Sequence, residues 1–156
     1  MNHIPKQQWL GCAVATAAMI ADRSYEEVAA HWPDLDEARM RSPGELCALL
    51  GAVTDTEWHF SPCWYPQPRV HEFVPPPWPM AAFIEDDALR PRFGQWIVLK
   101  DEVVHDPGER TAHPVSGYPR RDWVVTLVAQ PVLPAELARI QDRNDARATQ
   151  PDAADG

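Results

Sequence analysis

Basic residues are in the minority, with 14 Lys and Arg against 23 Asp and Glu and a formal charge of -9. That imbalance argues against nucleic acid and anionic membrane surfaces as partners, because both are bound through basic patches. The chain also lacks any run approaching the roughly 20 apolar residues of a membrane span. Its first residues, MNHIPKQQW, show no basic region followed by an apolar stretch. A cytoplasmic protein is the expectation, with small molecules, peptides or proteins as partners. Cysteine is scarce too. Cys12, Cys47 and Cys63 form no CxxC pair and no even set, so free thiols are expected rather than a disulfide scaffold or a zinc site, and no cofactor is implied. No internal repeat is visible.

What is present fits one domain. A chain of 156 residues with 45% hydrophobic content can build a single core. We place that domain at residues 1–133 and read 134–156 as a charged tail, partly helical or disordered. The unusual counts are 7 Trp and 17 Pro. The prolines crowd the middle and the end, which predicts long ordered loops between elements.

The stretch QQWLGCAVATAAMIA, residues 7 to 21, places a reactive side chain at the mouth of an apolar helix. Gly11 lets the backbone turn closely before Cys12, and Ala13 to Ala21 are small and helix-favouring. Free N–H groups and the positive end of the helix dipole gather at the first turn, and both favour a thiolate. Read without that chemistry, Cys12 is a small hydrophobe packed at a helix start.

A second helix is expected from Ser24, where Ser24 and Glu27 match a capping box, to about His31, whose ring complements the dipole. Residues 33–41 read as a charged connection. A third helix is expected from Ser42, with Pro43 in the first helical position, Glu45 completing another capping box and Gly51 as the stop. Cys47 lies among its leucines and reads as core. The alternation from Val53 to Phe60 predicts a strand. The loop from Ser61 to Pro79, with prolines at 62, 66, 68, 75, 76, 77 and 79, can be neither a helix nor a central strand. It is read as a cover over an edge of the core. Strands follow at Met80 to Ile84, Gln95 to Lys100 and Glu102 to His105, the last two joined through Asp101 alone, and at Trp123 to Ala129. The WIVL run of the second predicts burial on both faces.

Gly-Cys opening a helix, capped helices beginning SYEEV and SPGEL, and a sheet containing GQWIVLKDEVVHDPGE together resemble the papain-like cysteine peptidases of the bacteriocin-processing type. The resemblance spans about residues 7 to 128. It implies an α+β fold with amino-terminal helices packed on a carboxy-terminal antiparallel sheet. It also implies that Cys12 is the nucleophile, that Gln8 or Gln7 is the oxyanion donor, and that Asp106 is the acid that orients a catalytic His. Spacing does not separate the two glutamines, and Gln8 is preferred. At the position expected for the His stands Gln95.

That departure has chemical weight. A glutamine exchanges hydrogen bonds but takes up no proton at neutral pH. Without an imidazole, a cysteine with a pKa of about 8.5 is only a few per cent thiolate at pH 7. The leaving amine also lacks its proton donor, a loss of about 10² to 10⁴ in rate. A relocated His is conceivable. His105 adjoins Asp106 but should face the other way on a strand, His113 lies in a loop able to fold over the cleft, His59 and His71 could approach only through loop geometry, and His3 is expected in a mobile terminus, each of these three reading as a surface histidine. Two functions compete. One is a weakly active or inactive module that binds an extended peptide through main-chain hydrogen bonds. The other is an active thiol hydrolase that cleaves a peptide or other amide with a relocated His.

Overall fold

The computed structural model describes residues 1–7, 11–32, 42–87 and 94–133. The expected charged connection at 33–41, the tail at 134–156 and Gln8 lie outside these residues. Three helices are described, α1 (Cys12–Ala21), α2 (Tyr25–Ala29) and α3 (Pro43–Thr54). Six strands complete the fold: β1 (Trp58–Pro62), β2 (Met80–Glu85), β3 (Gly94–Lys100), β4 (Val103–His105), β5 (His113–Pro114) and β6 (Val124–Pro131). The strands form one sheet in the order β1-β6-β2-β3-β4-β5, and every pairing is antiparallel. The fold is α+β. Among the described residues no helix is long and apolar enough to cross a membrane.

Helix α1 is buried almost all round, from Ala13 to Met19. Its alanines let α2, α3 and β3 pack close about it, which suits a helix with little polar face to offer water. The sheet divides the core into two layers. On the helix side, Val14, Ala17, Leu46 and Leu50 pack against Ala81, Trp96 and Ala129. On the other side, Ile84, Ile97, Leu99, Val104 and Tyr118 form a second cluster. No α-helix covers that second layer among the described residues, although the proline-rich stretch expected to hold no helix contains one short 3-10 turn, Val70–Glu72. The proline-rich loop provides the cover, through Val70, Cys63 and Phe73, while its Trp64 and Tyr65 stand 87% and 93% exposed. Trp96, Ile97, Val98 and Leu99 are all fully buried, as the apolar run predicts for a strand sandwiched on both faces.

The elements differ from expectation in several places, among them β1, which takes in Ser61 and Pro62 from the expected loop. Helix α3 runs past Gly51 to Thr54, because burying Val53 in the helix-side core outweighs the weak helix propensity of one glycine. Residues 53 and 54 are therefore helical, and β1 begins only at Trp58. Ser42 makes no side-chain cap, and Glu45 Oε2 is buried without a partner, so the second capping box does not form. The β3–β4 connection is a two-residue turn, Asp101 and Glu102, with φ of 49° and 63°. Two successive positive φ values match the twist that an antiparallel hairpin needs. Strand β5 was not expected, since two residues carry no alternation to read.

The capping box at Ser24 does form. Glu27 N–H donates to Ser24 Oγ at 3.2 Å, and Ser24 N–H donates to Glu27 Oε2 at 2.8 Å. Ser24→Ala should therefore lower unfolding stability by about 1 kcal/mol. Ser42→Ala, which removes no such bond, should leave the urea midpoint unchanged within error.

Candidate functional site

Asp106 follows β4 and is completely buried. A buried carboxylate is costly unless it is well hydrogen-bonded, and four donors meet this one. Its Oδ2 accepts from Gln95 Nε2 at 2.6 Å, Tyr118 OH at 2.7 Å and Arg120 Nη1 at 2.6 Å. Its Oδ1 accepts from the Gly108 N–H at 2.7 Å. Arg120 Nη1 also reaches Glu109 Oε1 at 2.6 Å, and its guanidinium lies 5.5 Å from the Trp123 ring centroid. A side chain at residue 108 would crowd this knot, since a Cβ there would lie 3.1 Å from Asp106 Oδ1 and 3.3 Å from Gln95 Oε1. Burial, then the charge and hydrogen bond of Asp106, push the Tyr118 hydroxyl far above its ordinary value, so it is a fixed donor. Burial alone would lower Arg120, but the neighbouring Asp106 carboxylate holds the guanidinium above its usual range.

Gln95 is the second residue of β3 and shares the strand face of Ile97 and Leu99, the loop-covered side. Cys12 approaches β3 from the helix side. Its thiol lies within hydrogen-bonding range of the Trp96 backbone, one residue along from Gln95. Gln95 and Asp106 are bonded directly, while the sulfur meets the main chain one residue along, on the helix side of β3.

The thiol is not activated in the way the helix start suggests. The Trp96 backbone, the Lys6 charge and the first backbone groups of α1 all lower its pKa, but burial outweighs them and raises it. Desolvation penalises the charged form more than a helix end can repay. No imidazole is among the groups acting on the sulfur. His105 stacks on His3 with ring centroids 5.9 Å apart, and burial pushes it down to about 4. His113 stands 6.2 Å from the Tyr118 ring, His59 pairs with Gln130, and His71 Nδ1–H donates to the Arg121 carbonyl. Gln7 turns outward, its Nε2 donating to Glu26 Oε1 at 2.5 Å.

Tyr118, Arg120 and Glu109 were missed by sequence reasoning. They sit in irregular segments after β4, where no periodicity marks them. No group of three or more His, Cys, Asp or Glu able to hold a metal ion occurs among the described residues. What the fold and site define is an α+β domain with a largely buried thiol at a helix start and, tied to the same strand through Gln95, a buried carboxylate met by four donors. Compared with models of known protein families and with curated proteins, the chain finds no significant match.

Two measurements probe this arrangement. With Cys47 and Cys63 replaced by Ala, the pH midpoint for iodoacetamide modification of Cys12 should lie above that of a free cysteine measured alongside, because burial favours the protonated form. Tyr118→Phe, which deletes one bond to a charged acceptor, should cost about 1.5–3 kcal/mol in denaturant unfolding. Asp106→Ala strands several donors and a partly buried guanidinium, and should cost about 3 kcal/mol or more.

Proposed function

We propose that this protein is a peptide-binding relative of the papain-like cysteine peptidases, of the bacteriocin-processing type, in which the general base has been lost. The observation that carries the reading is the 2.6 Å bond from Gln95 Nε2 to Asp106 Oδ2. In a working triad the acid accepts an N–H from the catalytic imidazole and fixes its tautomer. Here an amide N–H makes the same bond. Glutamine preserves that link and the shape of the site while offering no group that can take a proton from a thiol. The raised pKa of Cys12 supports the same reading, since a neutral thiol is a poor nucleophile at pH 7.

A site with these groups can still hold an extended chain. Cys12, the β3 start and the neighbouring backbone offer polar groups to a peptide main chain, with specificity left to side-chain pockets. The ligand in this reading is an extended segment of a peptide or protein, bound without cleavage.

Gln95→His tests it. Expected is hydrolysis of an activated peptide ester by the variant, abolished by adding Cys12→Ala, with no turnover by the natural chain. Hydrolysis by the natural chain that depends on Cys12, and that Gln95→His leaves unchanged, would instead establish an active thiol hydrolase.

A further inference from the structure

The segment before α1 is tied down at three points. His3 Nε2–H donates to the Glu109 carbonyl at 3.0 Å, the Lys6 N–H donates to the Pro107 carbonyl at 2.9 Å, and Ile4 packs on the helix-side core. The strap therefore lies on the turn that follows Asp106. A further hold is the stack of His3 on His105, with rings 26° from parallel. Because a carbonyl only accepts, the Nε2 of His3 carries the proton of its neutral ring and Nδ1 holds the lone pair. The Nδ1 atoms of both His3 and His105 are buried with no hydrogen-bond partner. A proton arriving at the His105 Nδ1 would meet no acceptor.

The charges nearby make the contact intolerant of acid. His105 feels His3, the Met1 ammonium and the Lys100 ammonium, all of like sign to a protonated imidazole. No carboxylate is among the groups acting on His105; Asp22 lies 3.9 Å from Met1 N, Asp101 lies 3.9 Å from Lys100 Nζ, Glu109 pairs with Arg120, and the adjacent Asp106 is held within its own knot.

We propose that residues 1–7 are an acid-released strap, locked while the His105 ring stacks uncharged on His3 and freed when His105 becomes charged. The sign follows from the docked ring. His105 is held down to about 4, against 6.5 for a free imidazole. The docked strap thus gains stability that is complete above pH 6.5 and is lost as the pH falls towards 4. Release would uncover the Asp106 turn and withdraw the Lys6 charge that acts on Cys12. The device is independent of whether Cys12 binds or cuts.

Amide hydrogen exchange reads it directly. The protection factor of the Lys6 amide, already corrected for the intrinsic pH dependence of exchange, should fall by about tenfold or more between pH 7 and pH 4.5. Val98 and Leu99 in β3 should keep theirs. His105→Phe, which retains a ring for stacking without a titrating nitrogen, should flatten that fall, and His3→Gln should leave Lys6 weakly protected at both pH values. The proposal is overturned if Lys6 protection does not change with pH, if His105→Phe shows the same fall, or if the β3 amides lose protection in step with Lys6.

Discussion

Four donors converge on one carboxylate that water does not reach, and much of the fold around the site is arranged to bring them there. Asp106 collects an amide from β3, a main-chain N–H from its own turn, and a phenol and a guanidinium from the segment before β6. An ionised group in so dry a place survives only when its lone pairs are satisfied. The knot therefore links three separate stretches of chain, and it sets the course of the irregular segment between β4 and β6.

The same sheet holds chemistry of a different kind on its opposite face. Helix α1 can lie against β3 because its residues are small, and that closeness drives the Cys12 thiol against the Trp96 backbone. Burial then keeps the sulfur protonated even though the helix end favours the anion. The two halves of the candidate site thus share a strand but oppose each other electrostatically: a saturated anion on one side and a neutral thiol on the other. A single imidazole at residue 95 would alter both, because it could donate to Asp106 and also exchange a proton. Glutamine performs only the first task.

Several local features were readable from the residues alone. Ser24 and Glu27 capped a helix as their spacing implied, the WIVL run was buried on both faces, and the proline-rich loop covered a core layer. Where local signals competed with packing, packing prevailed. Gly51 did not stop α3, because Val53 gains more from the core than the glycine loses, and Glu45 forms no box with Ser42. The direct bond between Gln95 and Asp106, residues flagged from sequence, is present in the fold. Their further partners were invisible because Tyr118 and Arg120 reach Asp106 across loops, and loops have no period.

By itself the sequence determined which short-range choices the chain makes: where helices begin, which strand is apolar throughout, and that residue 95 carries an amide rather than an imidazole. These follow from side-chain chemistry within a few residues. Only the tertiary structure decided the state of each group, since a thiol at a helix start is anionic or neutral according to how much water surrounds it. Likewise a carboxylate is exposed or saturated according to which distant donors the fold delivers. Solvation and long-range hydrogen bonding depend on all the neighbours at once, and no window of sequence contains them.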